Sequence, residues 1–156
     1  MNKPKGLDAD WVRYLLRYMG RAHVAAYRAT GGRVGRRWRI GAGWRKPVPV
    51  CLLTHTGRRS GREFTTPLLW MADGEDVIVV ASQGGRPTDP QWYRNLRATP
   101  DAMLQVGRDV RPVRARTATP DERARLWPRL VELYADFDSY AEWTDREIPV
   151  VVLEPR

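Results

Sequence analysis

The chain has one cysteine in 156 residues, two histidines, and no acidic residue between Trp11 and Arg62. A lone Cys51 rules out an internal disulfide; in the apolar run PVCLL it is expected as a buried, inert thiol. His23 and His55, without clustered partners, leave no ligand set for a structural zinc. No apolar run approaches the length of a transmembrane span and the N-terminus lacks the apolar region of a secretory signal, so a cytoplasmic location is expected. The glycines at 31–35 (GGRVG) do not follow a strand and lack the G-x-G-x-x-G spacing, which argues against a nicotinamide-binding Rossmann unit. The Walker A spacing is missing as well, and no Ser/His/Asp order stands out. Without a helix-turn-helix, zinc-finger or RNP-type signature, no nucleic-acid partner is expected.

Aromatic residues and positive charge are abundant instead. Seven Trp and six Tyr are many for this length, and such amphipathic rings line cores, cofactor clefts or membrane interfaces. The formal net charge of +9 is uneven. Residues 11–62 carry twelve Arg and one Lys; with Lys3, Lys5, Asp8 and Asp10 the balance is +13 for residues 1–62, against −4 for the remainder. A field of that sign selects an anionic partner: anionic lipid, nucleic acid, or a ligand with phosphate and carboxylates.

The hydrophobic pattern predicts one domain over 1–156, with a basic helix and linker at 1–47 and a core at 48–156. Residues 8–29 have a helical period, with Trp11, Leu15, Tyr18, Ala22, Ala25 and Ala29 on one stripe and Gly31-Gly32 as the stop. The Gly/Arg-rich segment 31–47 reads as a loop. Strands follow at 48–56, 63–71 and 76–82, with the Asp73-Gly74 hairpin signal between the last two. Asp89 as N-cap and Pro90 in the first helical position predict a short helix over QWYRNLRA. Strands at 102–107 and 110–118 pair around Gly107. Thr119, Pro120 and Glu122 open a helix that runs to about Tyr134, a shorter helix lies within 138–146, and 148–155 is a closing buried strand. About six strands with only one plainly helical crossover predict an α+β fold, a mostly antiparallel barrel with helices packed around it.

Three features can carry chemistry. The turn TGRRSGR (56–62) exposes backbone N–H groups at Gly57 and Gly61 and adds the forked donors of Arg58, Arg59 and Arg62, which suit phosphate or carboxylate; a solvated hairpin tip has the same composition. The start of the helix at Gln91 attracts anions, and Trp92 and Tyr93 can either flank a planar ring or anchor the helix. Tyr134, Phe137, Tyr140 and Trp143 recur at three- and four-residue steps, as core stripes do, and two of them are phenols able to orient a substrate or donate a proton.

Together, LLTHTGRRSGREFTTPLL, VIVVASQGGRPTDPQWYRNLRATPD and ERARLWPRLVELYADFDSYAEWTDREIPVVVLEP resemble the deazaflavin-dependent nitroreductases of actinobacteria, the A branch of the F-420-binding split β-barrel proteins. The resemblance runs from about Val48 to Glu154. It implies that Arg58, Arg59 and Ser60 hold the phosphate and acidic tail of coenzyme F-420. The strand Phe64, Thr65, Thr66, Pro67, Leu68 and Leu69 would lie along the deazaflavin ring. Val80, Ala81, Ser82 and Gln83 would sit by ring and phosphate, and Gln91, Trp92, Tyr93, Arg94 and Asn95 would add phosphate and linker contacts. The aromatic set, with Leu69, would close over the acceptor pocket, Phe137 also meeting the cofactor.

The implied function is hydride transfer from reduced coenzyme F-420 to a small organic acceptor: a quinone, an activated enone or a nitro compound. Ser82, Tyr134 and Tyr140 are the candidates for orienting the acceptor or supplying a proton. Gln83 stands where many members have Lys, and Phe64 where many have a basic residue. Leu69 and Phe137 stand where the nitroimidazole-activating member has tyrosines. The alternatives are an FMN-binding split barrel and a non-enzymatic basic module. Residues 8–29 also fit a peripheral element on the anionic inner face of a membrane. The oligomeric state stays open.

Overall fold

The structure, a computed structural model, describes residues 10–39 and 41–156. Helix α1 (Asp10–Thr30) is followed by a two-residue strand β1 (Arg37–Trp38), then β2 (Val48–Thr56), β3 (Glu63–Leu69), β4 (Met71–Asp73) and β5 (Asp76–Val80). Helix α2 (Gln91–Ala98) leads into the hairpin β6 (Asp101–Val106) and β7 (Asp109–Thr117). Helices α3 (Pro120–Leu133) and α4 (Asp136–Glu142) precede the closing strand β8 (Val150–Pro155). Residues 8 and 9 of the expected first helix lie outside the described residues.

Every strand pairing is antiparallel. From β2 the sheet runs through β6, β7, β8 and β5 to β4, while β3 pairs with the other side of the path at β2. Only Trp70 separates β3 from β4, so one ribbon, 63–73, starts on β2 and finishes on β5 and brings the sheet round on itself. Counting that ribbon once gives a six-stranded split barrel, with the strand number that the sequence pattern predicts and the architecture that the family resemblance implies. The extra strand β1 pairs with Val48 and Pro49 inside a segment expected to be loop.

The continuous apolar runs of β5 and β8 are explained by burial on both faces. Val77, Val79, Val151 and Leu153 join Cys51, Leu53 and Leu104 and the α2 residues Trp92, Tyr93 and Leu96 in one core cluster. Ile78, Val80, Val150 and Val152 point the other way, onto Leu126, Leu130, Tyr134 and Phe137 of the α3–α4 cover. Helix α3 opens with the expected capping box, in which Thr119 Oγ1 accepts from Glu122 N–H and the Glu122 carboxylate accepts from Thr119 N–H. Cys51 is fully buried, and burial pushes its thiol up to about 12.

Two local features go beyond what the pattern alone states, and the second is a correction. The stripe Trp11, Leu15, Tyr18, Ala22, Ala25 and Ala29 is exposed; α1 instead buries Val24 and Tyr27 against Val50 and Leu52 of β2. The Tyr27 hydroxyl fixes that contact, since it donates to Val50 O (3.0 Å) and accepts from Gly107 N–H (2.8 Å). Nor does Asp89 cap α2. Pro90 is the N-cap, and Asp89 is drawn off by the Arg146 guanidinium at 2.8 Å, a charged partner stronger than a backbone N–H. Among the described residues, no helix is long and apolar enough to cross a membrane.

Candidate functional site

Two adjoining cavities of opposite character meet at β3. The first is a groove of about 1100 Å³ between α1, the 57–62 turn, β3 and the start of α2. Arg17, Arg21 and Arg28 line it from the helix and Arg58, Arg59 and Arg62 from the turn. The second is a pocket of about 390 Å³, lined mainly by apolar groups between β3, the end of β5 and α4. Pro67 and Trp92 belong to both walls.

The turn holds its shape through backbone bonds. Gly57 N–H donates to Arg62 O (2.7 Å) and Gly61 N–H to Gly57 O (2.9 Å), with Gly61 at φ +68°. A side chain at Gly57 is excluded, because its Cβ would lie 2.6 Å from the Phe64 ring. Arg58 is anchored to α2. Its N–H donates to Asn95 Oδ1 (3.1 Å), and its guanidinium donates to Asn95 Oδ1 (3.2 Å) and Gln91 Oε1 (2.5 Å). Desolvation, then the neighbouring charges of Arg94 and Arg59, holds the Arg58 guanidinium below the ordinary arginine value. Such clustering of cations favours an anion between them.

In the pocket, Tyr134 is buried, with its hydroxyl 3.3 Å from that of Tyr140 and accepting from Trp38 Nε1–H at 3.4 Å. Burial, followed by the bond to Tyr140, raises the Tyr134 phenol well above the ordinary range; Tyr140 is raised mainly by burial. Both stay protonated at neutral pH. Phe137 meets the Tyr134 ring edge-on at 5.1 Å. The floor of the pocket is the turn after β5, where Gln83, Gly84 and Gly85 all take left-handed backbone angles (φ +47°, +62° and +73°). Arg146 pins this turn by donating to Ala81 O, Ser82 O and Arg86 O at 2.9–3.1 Å. Gln83 Oε1 is buried with no hydrogen-bond partner among the described residues, an acceptor left for a ligand N–H or O–H.

Of the residues singled out from sequence, Arg58, Arg59, Ser60, Phe64, Thr65, Thr66, Gln91 and Asn95 line the groove. Leu68, Leu69, Val80, Ser82, Gln83, Tyr134, Phe137 and Tyr140 line the pocket. Four residues line neither. Ala81 is fully buried and offers its carbonyl to Arg146. Tyr93 turns into the barrel core and bonds Thr117 through its hydroxyl. Arg94 has its Nε buried without a partner. Trp143 packs behind Tyr140, ring centroids 5.5 Å apart, and beside the Gly85 backbone.

Sequence reasoning missed several contributors. The Arg28 guanidinium reaches across to Thr54 and Thr65, a contact that no local pattern announces. Trp38 and Arg146 act on the pocket from segments read as loop and helix end. His55 had a usable signal: it shares the inward phase of β2 with Cys51 and Leu53. It is buried between Asn95 and Thr66, stacked on Phe64 at 6.1 Å, and burial lowers its imidazole to about 4.

The groove suits a polyanionic tail and the pocket a planar ring carrying polar hydrogens. Comparison with known proteins points the same way. Residues 18–155 match the family described as F420H(2)-dependent quinone reductase. A putative F420H(2)-dependent quinone reductase of Mycobacterium tuberculosis is 59% identical over 118 residues, 76% of this chain and 99% of the relative. Another from that organism, an F420H(2)-dependent quinone reductase, is 41% identical over 155 residues, 94% of this chain and 99% of the relative. The solved structure of an F420-H2 dependent reductase superposes with a TM-score of 0.63 at 38% identity, covering 68% of this chain and 94% of its own.

Proposed function

The chain belongs to the F420H(2)-dependent quinone reductase family, and from that membership we propose that its two cavities hold the two ends of one coenzyme F-420 molecule. The observation that carries this reading is the shared wall. A basic groove and an apolar pocket in contact through Pro67 and Trp92 match a ligand that is polyanionic at one end and planar at the other. Arg58, Arg59 and Ser60 take the phosphate and acidic tail, with Arg28 and Arg62 as further cations. Strand β3 lies along the ring, and Gln83 Oε1 receives a ring hydrogen. FMN, with one phosphate, would leave most of that charge unanswered.

When bound and reduced, the deazaflavin supplies a hydride as a two-electron donor. The protein's part is placement. Leu69, Phe137 and Tyr140 line the pocket and confine a flat acceptor. Tyr140, bonded to the more deeply buried Tyr134, presents a phenol to the acceptor oxygen, and Ser82 is a second hydroxyl in reach of the same space. Phe137 has no proton to give. Quinones and activated enones, which can be protonated from water after hydride arrives, are therefore better acceptors than nitroimidazoles. The Ala81, Tyr93, Arg94 and Trp143 side chains act behind this surface, as backing.

Titration of the protein with coenzyme F-420 and with FMN tests the reading, followed by turnover of the reduced coenzyme with a quinone, an enone and a nitroimidazole. Coenzyme F-420 binds more tightly than FMN, and raised salt weakens it. The Arg58→Ala/Arg59→Ala double variant loses on the order of tenfold or more in affinity. Unchanged affinity in that variant, or equal affinity for FMN, would refute the groove assignment.

A specific surface favours a second role beside catalysis. Trp11, Tyr14, Leu15, Leu16, Tyr18 and Met19 on α1 are each at least half exposed, and Trp44 is 77% exposed. With the arginines of residues 17–45 they form the apolar-plus-basic composition of an element that rests on anionic lipid.

A further inference from the structure

We propose that His55 is a positioning residue: through a hydrogen-bond chain of fixed direction it turns the hydroxyl proton of Thr66 into the groove, as a donor to an acceptor oxygen of the bound coenzyme. This rests on the reading of the groove given above and adds a residue to it.

The direction follows from one group that cannot change its polarity. The backbone N–H of Arg58 is a donor, and it lies 3.1 Å from the side-chain atom of Asn95 that also receives the Arg58 guanidinium at 3.2 Å. That atom must be Oδ1; the opposite amide orientation would set NH₂ against two donors. The Asn95 NH₂ therefore faces His55 Nδ1, 3.2 Å away, so Nδ1 accepts. A neutral imidazole has one proton, which now must sit on Nε2. Nε2 is 3.0 Å from Thr66 Oγ1 and donates to it. The Thr66 hydroxyl is thus an acceptor toward His55, and its own proton has no partner among the described residues. Its neighbour is different: the Thr65 hydroxyl is engaged by both Thr54 and Arg28. Both threonines line the groove, but the Thr54–Thr65 bond can run in either direction, whereas the chain through His55 leaves the Thr66 proton to the groove. Burial of His55 keeps the ring neutral and the chain intact near neutral pH.

The test has two arms. In ¹⁵N-labelled, coenzyme-free protein at neutral pH, the His55 ring should show a protonated Nε2 and a bare Nδ1; the Nδ1–H tautomer would overturn the proposal. In the second arm coenzyme F-420 affinity is measured. Thr66→Val and His55→Leu should each weaken it by roughly three- to tenfold, and the double variant should be no weaker than the poorer single one. His55→Gln should recover most of the affinity, because its amide can accept from Asn95 and donate to Thr66. It also keeps the test valid where His55→Leu folds poorly. Folded Thr66→Val binding as tightly as wild type would sink the idea. Wild-type protein that fails to bind coenzyme F-420 at all would instead overturn the reading of the groove, with the direction of the chain still decided by the spectrum.

Discussion

Protonating His55 means placing a charge between an amide, a hydroxyl and a phenyl ring, and this cost has a pH window. Its folded value of about 4 lies below the ordinary 6.5, with burial as the cause. As pH falls below about 6.5 the unfolded chain binds the proton first, so stability drops until about pH 4, where both states are protonated and the loss levels off. The full loss is on the order of 3 kcal/mol. Carboxylates held down by arginines, Asp73 by Arg125 and Arg129 and Glu122 by Arg116, lose their contribution only at lower pH. The interval from pH 6.5 to 5 therefore separates His55 from these carboxylates, and the His55→Gln variant separates it from His23. Urea unfolding across it should show a falling midpoint in wild type and a nearly flat one in His55→Gln; a flat wild-type profile would contradict a buried neutral ring. At this scale the sequence was readable where a residue's role is local. Gly57 and Gly61 in a tight turn and Thr119 with Glu122 at a helix start follow from neighbours in the chain. Asp89 was misread because its partner, Arg146, is 57 positions away and no spacing rule reaches that far.

Periodicity announces that a helix face is apolar without saying what will cover it, and α1 shows the difference. The stripe read from the sequence is exposed, while Val24 and Tyr27 make the contact with the barrel. The residues of α1 buried against the barrel, Val24 and Tyr27, lie in its last turns, and Arg17, Arg21 and Arg28 line the groove beside β3. The exposed aromatics give a direct expectation. The full chain should co-sediment with vesicles containing phosphatidylglycerol and much less with neutral phosphatidylcholine, and added salt should reduce recovery. Trp11→Ser/Leu15→Ser/Tyr18→Ser should lower recovery several-fold without altering the circular dichroism spectrum, since none of the three is buried. Equal recovery on both vesicle types would remove the lipid reading and leave the face to another occupant. The strands were easier to read than the helix, because β5 and β8 are buried on both sides and their unbroken Val/Ile/Leu runs admit few alternatives.

Across the whole molecule, strand count and connection type were enough for a mostly antiparallel barrel, and the family resemblance for a split one, but not for the meeting of the 57–62 turn, the start of α2 and the α4 aromatics along one strand. That convergence is a product of closure, since the ribbon 63–73 is both the wall of the two cavities and the piece that joins β2 to β5. Within it, β3 pairs as a strand with β2 alone among the described residues, and every one of its residues retains some exposure. The empty barrel therefore has a seam. Amide hydrogen exchange should find β3 the fastest-exchanging of the long strands without coenzyme F-420 and markedly slowed with it; β3 amides as protected as those of β8 in the empty protein would contradict this. A hundredfold excess of coenzyme over its dissociation constant adds about 2.7 kcal/mol to global stability. The redox cofactor is thus also a clasp. A cell short of it would hold this protein in its most easily unzipped and most readily degraded form, so that the amount of enzyme tracks the supply of the molecule it uses.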